Sequence, residues 1–301
     1  MIQEKYVNPF TDFGFKKIFG EEPNKDLLID FLNQVLPAHH QIKELSYLNT
    51  EHLGISELDR KAMFDLYCES PSGEKFIVEM QKAKQNYFKD RSVYYATFPI
   101  QQQAKKGEIW NYELSAVYFV GILDFVFAEN INNNEVLHEV KLRNKFNEVF
   151  YDKLTFIYLE MPKFTKTLEE LETTFDKWLY VLKHLPKLQE KPLKLQERVF
   201  GKLFESAQIA KFNQEEMQKY EESLKVYWDI HAVIETAKDD AFDEGKLEGK
   251  IEGNIEGKIE GKIEGKIEVA KNLISLGLDN ETIVKATGLK TEEIERLREN
   301  R

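Results

Sequence analysis

Residues 63–82, MFDLYCESPSGEKFIVEMQK, decide how this chain is read. Two apolar and aromatic runs flank Pro71, Ser72 and Gly73, the pattern of a β-hairpin. Side chains alternate along a strand, so Phe76, Val78 and Met80 share one face and Ile77, Glu79 and Gln81 the other. With residues 70–74 as the loop, Glu69 pairs with Lys75 and Asp65 falls opposite Glu79. Directly opposed residues have Cβ atoms about 5 Å apart, and like charges there are destabilising. Two explanations stay open. A hard dication such as Mg²⁺ between the acids, its shell completed by water and phosphate oxygen, reverses the sign of their interaction. A solvated strand face with scattered acids needs no cation, and a one-residue slip in register would turn one carboxylate away.

The residues that follow bear on this choice. The hairpin runs into KAKQNYFKDRSVYYA, which carries Lys82, Lys84, Lys89 and Arg91, with Lys105 further on and few acids between. Cations beside a metal site suit a phosphodiester: they hold its backbone while the metal polarises the scissile phosphate. Tyr87, Phe88, Tyr94 and Tyr95 are interleaved; Phe88, Tyr95 and Phe98 have the helical spacing of core residues.

Composition bounds the alternatives. The chain has 301 residues, enough for one sizeable core with an extension or for two domains, and its 42% hydrophobic content is that of a globular protein. The single cysteine, Cys68, excludes a disulfide framework or a multi-thiolate zinc site and suits a reducing compartment. The opening MIQEKYVNPF lacks a basic stretch followed by an apolar run, and the apolar run at residues 116–128 is broken by Asp124 and too short to span a bilayer. The expectation is a soluble cytoplasmic protein with no membrane partner. A net charge of −11 argues weakly against nucleic acid, but segregated charge makes the total a poor guide. The six histidines show no zinc spacing, His39 and His40 being adjacent, and there is no phosphate-cradling glycine loop.

Working outward, residues 1–185 mix helices and strands. Thr11 or Asp12 is placed to cap a helix over 13–19, and Leu27, Leu28, Phe31, Leu32 and Val35 give helical periodicity over 25–36 before Pro37. Strands are expected at 44–48, 62–69, 75–82, 114–125 and 153–160, with a helix over 87–106 ending before Gly107. The run Tyr118, Phe119, Val120, Ile122 reads as a strand buried on both faces. This order gives an α/β fold around one mixed sheet. Residues 186–244 read as a charged helical extension. Residues 245–268 repeat every four, with glycine at 245, 249, 253, 257, 261 and 265 and Leu247, Ile251, Ile255, Ile259, Ile263 and Ile267 in step. Four residues overshoot a helical turn by roughly 40°, so holding that stripe on one seam demands a right-handed supercoil. Six glycines cost on the order of 5 kcal/mol in helix propensity. The segment is therefore either a self-associating helix, giving a homodimer through the C-terminal extension, or a flexible tether. Residues 269–301 resemble a small helix-turn-helix, with Asp279 and Thr291 as caps and Gly288 as the break. The near balance of Lys290, Arg296, Arg298 and Arg301 against four glutamates favours packing or oligomerisation over base reading.

The segments TDFGFKKIFG, FDLYCES…GEKFIVEMQKAKQNYFKDRSVYYATFPIQQQAKKGE, VYFVGILDFVF and FIYLEMPKF, in this order over residues 8–165, resemble the Rpn family, the recombination-promoting nucleases and transposase-like proteins of the PD-(D/E)XK superfamily. The resemblance implies a restriction-endonuclease-like core, a mixed central sheet flanked by helices, followed here by the α-helical C-terminal extension. It implies an enzyme, a metal-dependent DNA endonuclease tied to recombination or mobile elements, with Mg²⁺ or alternatively Mn²⁺ as cofactor and DNA as partner. On this analogy Asp65 and Glu79 are the catalytic acids and metal ligands. Gln81 stands where the wider superfamily has lysine; Glu-x-Gln is common in this family. Gln81 lacks a lysine's charge, so it orients water or phosphate by hydrogen bonding alone. Lys82 is the obvious substitute cation but alternates onto the opposite face unless a bulge intervenes. Lys84 and Arg91 are the candidate phosphate clamps, and Asp12 is either a remote member of the site or an ordinary helix cap. The alternative is a non-catalytic DNA-binding or assembly protein that keeps the fold; a ribonuclease differs only in substrate.

Overall fold

A computed structural model describes residues 4–37, 40–52, 62–104 and 111–299. His39, Lys105, Lys106 and Arg301 lie outside them, so the expected end of the long helix is not described. The chain divides into two units, Met1–His231 and Ala232–Arg301. Among the described residues no helix is long and apolar enough to cross a membrane.

The first unit is built on a six-stranded sheet in the order β1-β4-β5-β6-β8-β7. Its strands are β1 (Ser46–Tyr47), β4 (Leu66–Glu69), β5 (Lys75–Gln81), β6 (Val117–Leu123), β7 (Leu137–Arg143) and β8 (Val149–Glu160). β5, β6 and β8 are parallel, while the β4–β5 and β7–β8 pairs are antiparallel, so the sheet is mixed. All seven residues of β6 are buried, which explains its unbroken apolar run. Two short strands, β2 (Glu51–His52) and β3 (Ala62–Met63), form a separate ribbon.

Helices cover the two faces unequally. α1 (Asp12–Phe19), α2 (Lys25–Val35), α4 (Thr174–His184) and α5 (Arg198–Ser206) cover one face. Leu27, Phe31, Trp178, Leu182 and Phe200 meet Val78, Val120, Ile157 and Leu159 of the strands there. α3 (Phe88–Gln102) covers the other face, where Phe88 and Ala96 pack on Ile77, Phe119, Phe156 and Tyr158. α1 begins at Asp12 because Thr11 is its cap: the Thr11 hydroxyl accepts from the Gly14 amide. Asp12 is the first helical residue and pairs with Lys16 at 2.9 Å.

Two differences from the sequence reading have local causes. The strand expected over 62–69 is interrupted at Phe64 and Asp65; residues before the bend pair with β2 and those after it with β5. β7 was not expected, because Glu139, Lys141 and Arg143 make this half-exposed outer strand read as charged.

α6 (Gln214–Ser275) is one 62-residue helix that contains the whole glycine repeat. In the first unit Lys17 ties it to α1 through Glu216 at 2.6 Å, and the buried Tyr220 hydroxyl accepts from the Asn8 amide. In the second unit α7 (Asn280–Thr287) and α8 (Thr291–Glu299) close a small core of Ala270, Ile274, Ile283, Leu289 and Ile294. Asp279 caps α7 by accepting from the Thr282 amide. Gly288 ends it at φ +69°, a left-handed conformation that glycine adopts without a Cβ penalty. Thr291 is the first residue of α8 rather than its cap.

Candidate active site

The hairpin register is Glu69 opposite Lys75 through Leu66 opposite Val78, and it extends to Asp65 beside Glu79. Alternation along β5 places Ile77 in the core under α3, and Glu79 and Gln81 follow on that face. At the bend, Phe64 turns into the same cluster and Asp65 lies at the end of β4. The Asp65 amide donates to Glu79 Oε1 at 3.1 Å, and Asp65 Oδ2 accepts from the Met80 amide at 2.8 Å. Each acid thus takes a backbone N–H from the strand opposite. Gly121 of β6 is the parallel neighbour of Glu79. A Cβ there would come within 3.1 Å of the Tyr158 ring, so glycine lets that ring pack against β6.

Amide bonds do not remove the repulsion. Glu79 is 6% exposed; burial, and then the Asp65 charge, push its carboxyl up to about 8. Burial also raises Asp65, and the charge of Asp12 adds to that, against the Met80 amide and the cations Lys16 and Lys82. Two acids driven toward the protonated form by desolvation and each other gain from a cation between them. The donor set fits a hard dication, which takes one or two carboxylates and leaves other positions to water and phosphate. Among the described residues no third His, Cys, Asp or Glu joins them in a metal-holding group.

Gln81, two residues after Glu79 on β5, ties the end of that strand to α3. Its Nε2 donates to the Ala83 carbonyl at 2.9 Å, and its Oε1 accepts from Arg91 at 2.5 Å. The Arg91 guanidinium lies over the rings of Phe88 and Tyr95, at 4.9 and 5.7 Å, and its charge favours ionised Glu79. A fixed cation therefore stands at the residue that lacks one. Lys82 goes the other way, as alternation requires. It is half-buried, lies 5.9 Å from the Tyr227 ring, and lines a cavity of about 430 Å³ with Asp12, Lys16, Lys219 and Glu222. Burial lowers its pKa, against the charges of Asp12 and Asp65. Lys84 is exposed beside Gln85, Tyr87 and Lys89 in a separate groove. The structure thus gathers Asp65, Glu79, Gln81 and Arg91, puts Lys82 across the sheet end and leaves Lys84 outside.

Lys16 and Tyr95 were not expected at the site. Lys16 acts electrostatically on both acids, and the Tyr95 hydroxyl is raised by burial and then by Glu79. Lys16 sits one helical turn after Asp12, so the same motif carried its signal. Tyr95 was legible only as a core aromatic.

Comparison with known families identifies the chain's relatives. Residues 9–237 match the model of the PD-(D/E)XK nuclease family transposases, and residues 264–299 match the Rpn/YhgA-like nuclease family, C-terminal HTH domain. No curated protein and no solved structure matches the chain. With most of its length inside the first match and its tail inside the second, the chain belongs to the PD-(D/E)XK nuclease family of transposases, in the Rpn/YhgA-like group.

Proposed function

We propose that the chain is a divalent-metal-dependent DNA endonuclease that works in the cytoplasm on recombining or mobile DNA. The observation that carries this reading is the buried Asp65–Glu79 pair, held side by side although each carboxylate raises the cost of ionising the other. Asp65 and Glu79 would hold Mg²⁺ or Mn²⁺, which supplies Lewis-acid polarisation of the scissile phosphate and acidifies water. The protein's own groups do the positioning. The Gln81 carboxamide orients the attacking water by hydrogen bonding and is itself oriented by Arg91. The Arg91 guanidinium supplies the positive charge that lysine brings elsewhere in the superfamily. Lys16 and Lys82 approach the pair from the side of α1, and Lys84 lies further out, where a phosphate backbone would run.

The domain layout is proposed as a nuclease-like region over 1–185, a helical extension over 186–244, the repeat over 245–268 and a helix-turn-helix tail over 269–301. The repeat leaves Leu247, Ile251, Ile255, Ile259 and Ile263 about half exposed, and the glycines between them meet nothing. The apolar row has no cover among the described residues, and the glycines lie on the opposite side of the helix, two positions away. An uncovered apolar row suits helix-to-helix association, so we assign the extension a part in self-association.

Supercoiled plasmid with Mg²⁺ tests the reading. Wild type is expected to nick or linearise it, and Asp65→Asn and Glu79→Gln each to lose at least about 100-fold, the loss of several kcal/mol of charge stabilisation. Cutting that persists in both variants removes the proposed site. Binding without cutting under Mg²⁺ and Mn²⁺ supports the non-catalytic alternative, and a parallel RNA substrate separates a ribonuclease.

A further inference from the structure

β7 is the outer strand of the sheet, and among the described residues nothing pairs with its free edge. Its register with β8 is regular from Leu137 to Lys141, and bulges begin only beyond that point. The Glu160 amide donates to the Val136 carbonyl at 2.8 Å. In an antiparallel ladder the bonded residues alternate, so Val136, His138 and Val140 turn their backbone groups toward β8. Leu137, Glu139 and Lys141 turn theirs to the open edge.

A second copy of the same strand can satisfy these groups in an antiparallel two-fold pairing, and charge selects the register. Centring the axis on Glu139 sets that acid against its own copy. Centring it on Lys141 opposes two ammonium groups. Centring it on Val140 puts Glu139 opposite the second copy's Lys141 and Lys141 opposite its Glu139. In that register both oppositely charged pairs are also hydrogen-bonded pairs, so each exchanges both main-chain bonds. Glu139 and Lys141 already pair within one chain at 3.0 Å, so the contact would join two ion pairs into a ring of four charges.

The apolar residues agree. Val140 is 47% exposed and Leu142 is 49% exposed, both on the face of the sheet that α3 covers only in part. They line a groove of about 530 Å³ with Val93 of α3 and Phe156 of β8. In the Val140-centred register, Val140 meets its own copy and Leu142 covers His138. The hairpin tip, with Phe146 72% exposed, runs toward the second copy's loop before β7, where Ile131 is 73% exposed.

We propose that the first unit self-associates through β7, a two-fold antiparallel pair centred on Val140 that extends the sheet across two copies. The contact is independent of the nuclease reading and of the glycine repeat.

Disulfide trapping in the full-length chain tests it, because the one native thiol, Cys68, is buried. Non-hydrogen-bonded antiparallel neighbours have Cα atoms about 4.5 Å apart, within reach of a disulfide. Val140→Cys is expected to form a covalent dimer under mild oxidation, His138→Cys alone is not, and mixed His138→Cys and Leu142→Cys chains are expected to cross-link to each other. Adding Glu139→Lys to Val140→Cys should cut cross-linking at least about tenfold, as should adding Lys141→Glu. Adding both together should restore it, because the exchange rebuilds the same pairs. Absent cross-linking of Val140→Cys, equal cross-linking of His138→Cys, or no rescue by the double exchange would overturn the proposal. Circular dichroism of each variant checks that the reversals leave the fold intact, which matters most at Lys141, whose side chain is only 12% exposed where that of Glu139 is 36% exposed.

Discussion

At the scale of single residues the site balances ionisation against burial. The Glu79 carboxyl rises from 4.5 to about 8, so between those pH values the folded protein keeps a proton that the unfolded chain has released. Stability of the metal-free protein must therefore fall as pH rises through that window. Glu79→Gln removes the titrating group. The variant is expected to melt above wild type at pH 8 without metal, by on the order of 1 kcal/mol or more, and the gain should vanish toward pH 4. A variant that melts lower at pH 8 would mean the carboxylate is better solvated than its surroundings imply. Arg91 makes a different prediction. Its bond to Gln81 is charge-assisted, worth about 1.5–3 kcal/mol in such settings. Arg91→Ala should lower cleavage about 10–100-fold while DNA binding changes less, and Arg91→Lys should recover part of the loss. Equal losses in cleavage and binding would make Arg91 a simple phosphate contact.

At the scale of elements, the helical layer over one sheet face holds α1 in place beside the acids. Trp178 of α4 is fully buried against Phe19, Phe31 and Phe200, with ring centroids 5.6, 5.6 and 5.2 Å away, and its Nε1 donates to Asp30 at 2.6 Å. Trp178→Ala should cost about 3–5 kcal/mol, read as a shift in denaturant midpoint. A cost under about 1 kcal/mol would mean that α4 does not anchor the layer. The elements also show what the sequence made legible. The hairpin register was readable because Pro71, Ser72 and Gly73 fix the turn and the alternation of β5 fixes the face. The bend at Phe64 and Asp65 was not, since apolar residues run on both sides of Asp65 and the strand changes partner there, from β2 to β5. The meeting of Gln81 with Arg91 depends on how α3 lies across the sheet, which no local pattern encodes. β7 stayed hidden because it is half exposed and mixes charged with apolar residues.

At the scale of the whole molecule the repeat is the least self-sufficient part. In residues 245–268 the charged pairs four apart join like with like, glutamate with glutamate and lysine with lysine except where Asn254 interrupts the row. Such pairs repel along a helix, and glycine adds nothing in compensation. The segment's stability must come from elsewhere, which is why association is assigned to it. Deleting residues 245–268 should lower the oligomer mass measured by light scattering, and an unchanged mass would leave the repeat as a spacer. The tail has a related constraint. Arg298 is tied to Asn280 and the Leu278 carbonyl, so of the basic residues in α8 only Arg296 stays clear of such bonds among the described residues. Arg298 therefore serves the packing of the tail, and the basic residue that α8 leaves for a partner is Arg296. The match to a C-terminal HTH domain identifies the module.

The central claim is that two buried acids sit together because a dication belongs between them. Calorimetric titration of the metal-free protein with Mn²⁺ at pH 8 tests it most directly. The expected result is saturable binding with release of protons, lost in Asp65→Asn and in Glu79→Gln. Heat indistinguishable from dilution, or binding that both variants retain, would contradict it.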